Sequence, residues 1–435
     1  MSTGELLLFR KFEGEKVFDN ITWVIGNLDS PSREDERGEH ILQDMYYDAV
    51  SGLLEIAETH GFEGNLWHTY LTYILVNHEN IFSTSCEITG RVQGSIVEFA
   101  KKDFEIFMQL FEYDFAGLED ELELDHVMEK LTNYKNISRN SRMFNRRIRD
   151  RICSLALLLE NSKNVDEFMD HMVEFYREFG VGRLGLHKAF RVEHGENDEV
   201  CIVPVKNIAH VHLDDLVGYE SAKKKLIENT EAFVNGKRAN NCLLYGDAGT
   251  GKSSSIKGIL NQYYDRGLRI IELYKHQFRD LNDVIAQIKN RNYKFIIYMD
   301  DLSFEDFEVE YKYLKAVIEG GLEKKPDNVL IYATSNRRHL IREKFSDKEE
   351  RRDDLHSSDT VQEKMSLVNR FGVQIFFCAP DKKEFQNIVK TLAERNAVTM
   401  PEEELLLEAN RWELSHGGLS GRTAQQFIDY LLGKA

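Results

Sequence analysis

Residues 241–255 read NCLLYGDAGTGKSSS. A short apolar run, Cys242 to Tyr245, passes directly into Gly246, Asp247, Ala248, Gly249, Thr250, Gly251, Lys252, Ser253 and Ser254. Ile256, Ile259 and Leu260 then share one face of a helix. This is the pattern G-x-x-x-x-G-K-[ST] between a strand and a helix start, the context in which it cradles a polyphosphate. The glycines let the backbone curl so that successive N–H groups point inward. The helix N-terminus adds a positive dipole end at the same place. Lys252 supplies a point charge toward the β- and γ-phosphates, and the Ser253 hydroxyl is a ligand for Mg²⁺.

Three further residues extend phosphate binding toward hydrolysis. The buried run KFIIYM, residues 294–299, ends at Asp300 and Asp301. A carboxylate at Asp300 suits Mg²⁺, and an acid at Asp301 suits orienting and deprotonating an attacking water. Standing alone, such a pair is equally well a polar turn closing a strand. About fifty residues after a phosphate loop, the metal reading takes precedence. Asn336, at the tip of a strand beginning at Val329, is placed to hydrogen-bond that water or the γ-phosphate.

The elements that must carry these residues alternate regularly. Strands are expected at 241–245, 268–273, 294–299, 329–333 and 373–378, with helices over 252–260, 281–288 and 311–318 between them. That order predicts an α/β fold with a doubly wound parallel sheet, whose ligands bind beyond the carboxyl ends of the strands. A highly charged stretch, 342–364, interrupts the series.

The first 185 residues read as helical. Met45 to Thr59 carries apolar residues at helical spacing, Asn65 is a candidate cap for a helix through Trp67, Tyr70 and Ile74, and Ser95 opens a helix with an aromatic stripe to Phe111. Such a stripe is read as core. Glu119 to Asp125 is expected to be a solvated helix start. Arg139, Arg142, Arg146, Arg147, Arg149 and Arg151 form a basic run. It is read as the solvent face of a helix rather than a nucleic-acid contact, because no aromatics interleave as stacking platforms. Segments 187–192 and 200–205 look like a β-hairpin, with Pro204 suited to an edge strand.

The chain has 435 residues, 42% hydrophobic, so two or three domains with substantial cores are expected. A net charge of −18 argues against a broad nucleic-acid-binding surface and favours a protein partner. Five scattered cysteines form no C-x-x-C pair, which suits a reducing compartment and no zinc site. With no signal-like start and no apolar stretch near the roughly 20 residues that span a bilayer, a cytoplasmic protein without membrane contact is expected.

From about residue 208 onward the chain resembles an AAA+ ATPase, and within that class one bacterial family catalogued as a domain of unknown function. The resemblance rests on DDLVGYE (214–220), NNCLLYGDAGTGKSSS (240–255), YMDDLSFE (298–305), YATSNRRHL (332–340), SLVNRFG (366–372) and SGRTAQQF (420–427). It implies a five-stranded parallel AAA+ core over 208–380 with a helical lid at 381–435; the residue patterns before it give a mostly α-helical domain over 1–185 and a hairpin or linker over 186–207. It also implies ATP and Mg²⁺ as cofactors and a homo-oligomer. By resemblance, Val217 and Gly218 lie against the adenine, Asn336 is sensor 1, and Arg422 is sensor 2. Arg370 is an arginine finger reaching a neighbouring subunit, in competition with Arg337 and Arg338 or with a plain surface salt bridge. AAA+ enzymes usually carry Glu where this chain has Asp301, shorter by one methylene. A misplacement of about 1 Å can cost roughly a hundredfold in rate, so slow hydrolysis is expected.

Three functions follow in order of preference. The first is an oligomeric ATPase that remodels or loads a macromolecular partner held by the N-terminal half. The second is an ATP-dependent switch or scaffold that hydrolyses slowly or not at all. A small-molecule P-loop kinase ranks last, because the lid and finger positions do not suit it.

Overall fold

The computed structural model describes all residues except 1–2, 13, 29–35, 91, 137–145, 196, 206–207, 305–309, 320–325, 337–366 and 435. The chain folds as two compact units, Met1–His187 and Lys188–Ala435. Arg139, Arg142, Arg337, Arg338 and the charged stretch 342–364 lie outside the described residues.

The first unit is helical: α1 Glu15–Asn27, α2 Glu36–His60, α3 Leu66–Asn77, α4 Ile81–Thr89, α5 Ile96–Phe111, α6 Phe115–Glu121, α7 Val127–Leu131, α8 Arg146–Glu160, α9 Val165–Phe179 and α10 Gly182–Leu186. The Asn65 side chain caps α3 by accepting from the His68 N–H at 3.2 Å. The aromatic stripe of α5 is core: Phe104 and Phe107 are fully buried, and Phe104 packs against Phe9, Phe82 and Phe168. Within this core the Asp103 carboxylate is fully buried and accepts from the N–H groups of Leu7, Leu8 and Phe9, which satisfy its charge.

The acidic stretch 119–125 departs from expectation. It closes α6 rather than opening a helix, and Glu119 is buried instead of solvated. Its carboxylate accepts from the Tyr46 hydroxyl and from the N–H groups of Val127 and Met128 at 2.8 and 2.9 Å, which compensates the lost hydration. Of the basic run, Arg146 and Arg147 are exposed on α8, whereas Arg151 stacks over the Phe179 ring at 4.0 Å.

The second unit is built on one sheet of seven strands: β1 Ala189–His194, β2 Val200–Pro204, β3 Cys242–Gly246, β4 Leu268–Glu272, β5 Lys294–Met299, β6 Val329–Ser335 and β7 Val373–Phe377. Their order is β2-β1-β4-β5-β6-β3-β7, and only the β1–β2 pair is antiparallel. The expected α/β sheet is present with two strands more than the five anticipated. The hairpin is no linker: β1 pairs in parallel with β4, Ala189 opposite Ile270, and so occupies that strand's open edge. Pro204 ends the outermost strand, where a missing N–H costs least.

Helices α11 Glu220–Val234, α12 Lys252–Tyr263, α13 Leu281–Ile288 and α14 Glu310–Glu319 alternate with the strands. β6 is buried along its whole length, as a central parallel strand should be. The C-terminal helices α15 Lys382–Arg395, α16 Glu402–Ser415 and α17 Gly421–Leu432 pack around Phe385, Val389, Ala409, Ala424 and Phe427 to make the lid. Among the described residues, no helix is long and apolar enough to cross a membrane.

Candidate nucleotide-binding site

The loop after β3 turns on Gly246, whose φ of 134° brings its backbone against Phe377 at the end of β7. Asp247 fastens the turn twice: its N–H donates to the Phe377 carbonyl at 3.0 Å, and its carboxylate accepts from the Ala379 N–H at 2.7 Å. Thr250 closes the loop by donating to the Asp247 carbonyl at 2.8 Å. Gly249 and Gly251 also have positive φ, which glycine adopts without strain.

Lys252, at the first turn of α12, is only 7% exposed. Its ammonium donates to the carbonyls of Gly246 at 2.9 Å and Asp247 at 2.6 Å, and to Asn336 Oδ1 at 3.0 Å. Burial pulls the ammonium below its ordinary pKa, opposed by the negative charges of Asp247, Asp301 and Asp300, while Arg422 adds to the lowering.

Asp300 Oδ1 is a convergence point. It accepts from Ser253 Oγ at 2.8 Å, Tyr298 OH at 2.7 Å, Thr334 Oγ1 at 2.5 Å and the Asp301 N–H at 3.1 Å. Burial raises the pKa of this carboxyl, but the bonds from Thr334, Tyr298, Ser253 and Asp301 outweigh it and hold the net value below the ordinary one. Asp301 adopts a left-handed backbone, φ 49°, and its N–H is shared with Thr334 Oγ1 at 3.0 Å. Its carboxylate accepts from Asn336 Nδ2 at 2.8 Å. Lys252, Asn336 and Asp301 therefore form one chain of hydrogen bonds.

The lid closes over this group. The Arg422 N–H donates to the Gly249 carbonyl at 3.1 Å, so the first turn of α17 rests on the phosphate loop. A Cβ at Gly249 would stand 3.0 Å from Ser420 Oγ, too close for any other residue without movement. From α15, Arg395 clamps the carbonyls of Asp214 and Asp215 at 2.7 and 3.1 Å. The result is a cleft of about 680 Å³ whose walls include Val217, Lys252, Asp300, Asn336, Ile388 and Arg422. That volume is in the range of small-molecule sites, roughly 300–1,000 Å³.

The structure thus brings Val217, Ala248 to Ser254, Asp300, Asp301, Asn336 and Arg422 to one cleft. Gly246 and Asp247 shape it from behind through their carbonyls. Gly218 does not line it; φ of 85° at Gly218 instead turns the chain into α11. Arg370 is exposed just before β7 and does not line the cleft.

The family described as "Protein of unknown function (DUF815)" matches residues 185–435, more than half of the chain and all of the cleft. The chain belongs to that family. Its second unit combines the parallel strands β7-β3-β6-β5-β4, the loop after β3 and a helical lid, the architecture that the resemblance to AAA+ proteins implies. This DUF815 member is also 39% identical over 71 residues to the replication factor C large subunit of Staphylothermus marinus, which is 16% of each chain. Among solved structures, a point mutant of Thermotoga maritima RuvB superposes with a TM-score of 0.36 at 17% identity, covering 50% of this chain and 64% of that one. The structure described as the Thermotoga maritima RuvB Holliday junction branch migration motor gives 0.32 at 15% identity, covering 50% and 71%.

Three residues of the DUF815 site carry no role in the sequence reading. Tyr298 and Thr334 hold Asp300, and Tyr219 lines the cleft with a buried hydroxyl that has no hydrogen-bond partner. Burial pushes that phenol up to about 12. Strand periodicity offered a signal for the first two: Tyr298 is two residues before Asp300, and Thr334 two before Asn336, so each pair shares a strand face.

Proposed function

We propose that this protein binds ATP with Mg²⁺ in the cleft and hydrolyses it at a site completed by a second subunit, using the cycle to remodel or load a macromolecular partner. The observation that carries the reading is the link from Lys252 through Asn336 to Asp301, with Asp300 beside it. A phosphate-binding cation, a metal-binding carboxylate and a water-orienting pair are contiguous.

The donor set fits Mg²⁺. Among the described residues no three His, Cys, Asp or Glu converge on one point. The Ser253 hydroxyl and Asp300 carboxylate are hard oxygen ligands, and a nucleotide's phosphates and water complete the shell that Mg²⁺ prefers. Bound there, the ion would neutralise charge on the phosphates. Lys252 would leave its carbonyl partners for the phosphate oxygens, and the backbone N–H groups from Ala248 to Ser254 would face the same anion. Val217, Ile388 and Leu392 would enclose the base, with Arg422 carrying lid position to the phosphates. Asp301, oriented by Asn336, would take a proton from the attacking water.

Arg370 supports a shared site. β7 runs parallel to β3, with Val373 opposite Cys242 and Phe377 opposite Gly246. Arg370 precedes β7 whereas the phosphate loop follows β3, so the two are at opposite ends of the sheet, about 13 Å or more apart along the strands. As an arginine finger it would serve a neighbouring copy, where its fork stabilises spreading charge. A partner recognised by this acidic chain is a protein rather than nucleic acid.

A second reading, a slow ATP-dependent switch, is favoured by one feature: Asp301 is one methylene short of the usual Glu and is tied to Asn336. The deciding experiment is Mg²⁺-dependent phosphate release against protein concentration. Turnover that rises with concentration, falls on Arg370→Ala and returns on mixing with Asp301→Asn subunits supports the shared-site ATPase. Concentration-independent turnover overturns the shared site, and tight ATP binding without turnover selects the switch.

A further inference from the structure

The N-terminal unit holds a pocket of about 260 Å³ that the nucleotide site does not involve, its walls including Trp67, His68, Tyr113, Phe115, Glu119 and Glu129. It is smaller than a drug-sized site and suits a single side-chain-sized head. Two features give it a chemical preference.

The first is unspent hydrogen-bonding capacity. Glu119 Oε1 takes all three bonds made to that side chain, from Tyr46, Val127 and Met128. Oε2 is buried, in a side chain 1% exposed, and has no hydrogen-bond partner. His126 Nδ1 stands 3.6 Å from it, beyond hydrogen-bond reach, and His126 Nε2 faces Asp120 at 3.2 Å. Beside it, His68 Nε2 donates to the Phe111 carbonyl at 2.9 Å, and His68 Nδ1 stands 3.5 Å from Glu160. A buried carboxylate oxygen without a donor is costly, so a donor bearing positive charge gains most there.

The second feature is the wall. Phe115 meets Trp67 edge-on at 5.4 Å and Tyr113 at 5.2 Å, so three aromatic rings line the same pocket as Glu119. Aromatic faces attract cations, most strongly when these are desolvated. The exposed rim residues Asp114 and Glu129 add negative charge at the entrance.

We propose that this pocket binds a guanidinium or ammonium head on an apolar stem, as in an arginine or lysine side chain of a protein partner or in a free alkylamine. The site is independent of nucleotide chemistry, so its failure leaves the ATPase reading untouched.

The test is calorimetric titration of the full chain at low salt with three probes: a capped Gly-Arg-Gly peptide, its Gly-Gln-Gly counterpart and agmatine. Saturable binding of the arginine peptide or of agmatine, at least tenfold tighter than the glutamine peptide, supports the proposal. If the peptide binds more tightly the source is a protein segment, and if agmatine does, a free amine. Because Glu119→Gln disturbs a buried network, it is paired with Tyr113→Leu and Phe115→Leu, both at half-buried positions. Each folded variant is expected to weaken cation binding about tenfold with ATP affinity unchanged. Equal binding of the glutamine peptide, no saturable binding of either cation, or full binding by both aromatic variants overturns it.

Discussion

Asn336 and Lys252 are joined by a 3.0 Å hydrogen bond, with the amide oxygen accepting from the ammonium. The same amide donates to Asp301 at 2.8 Å. An ammonium only donates and a carboxylate only accepts, so both neighbours dictate the same amide orientation. A single side chain thereby couples the ammonium proposed to bind phosphate to the acid proposed to activate water.

Asn336→Ala breaks that coupling while leaving the phosphate loop intact. Turnover is expected to fall about a hundredfold, the scale for removing one positioned donor, with ATP affinity changed far less. Phosphate release and titration with a fluorescent ATP analogue separate the two effects. An equal loss of affinity would assign Asn336 to binding alone.

Asp301 holds a left-handed backbone, φ 49°, which glycine adopts freely and alanine does not. Asp301→Gly is therefore expected to be more stable than Asp301→Ala by about 1 kcal/mol, and both to be inactive. Urea denaturation of the two variants measures the difference. Equal stability would show that the backbone strain is negligible.

Tyr298→Phe removes one of four donors to Asp300 Oδ1 and is expected to cost about 1.5–3 kcal/mol, toward the lower end because three donors remain. The dependence on pH has a definite sign. The folded-state pKa of Asp300 lies below its ordinary 3.8, so its contribution to stability is full above 3.8 and is lost as pH falls through the lower folded value. The melting-temperature gap between wild type and Tyr298→Phe should be constant at neutral pH and close below pH 3.8. A gap that widens in acid would contradict this.

A Cβ on Gly246 would lie 2.0 Å from the Phe377 carbonyl oxygen, at a φ of 134°. Gly246→Ala must then push β7 away or unfold the loop, an expected loss of about 3 kcal/mol or more. Gly267 offers the control: its φ is 89° but a Cβ would meet nothing within 4 Å, so Gly267→Ala should cost only about 1 kcal/mol. Chemical denaturation of both distinguishes backbone strain from steric collision.

Much of this protein is legible along the chain, because the forces concerned act between near neighbours. The apolar run of β5, the helix at Leu281–Ile288 and the Asn65 cap depend on periodicity and short-range hydrogen bonds, and each occurs where the residues predict it. The phosphate loop is local too: thirteen residues, 241–253, contain a strand, a turn and a helix start. Its resemblance to an AAA+ site rests on motifs that the amino-acid sequence alone displays.

Other features depend on distance in sequence and could not be read there. Glu119 looks solvated among its acidic neighbours, but Tyr46, 73 residues away, donates to it and makes burial tolerable. The hairpin looks like a linker until β1 meets the open edge of β4. The register of β5 on β6 pairs Met299 with Ala333, which carries Asp300 to Thr334 and gives its carboxylate a fourth donor. Sequence by itself determined which residues could do chemistry, since residue type and short spacing suffice for that. Only the tertiary structure decided which atoms meet, because a hydrogen bond requires contact within about 3 Å, and helix packing, strand order and register bring distant segments that close.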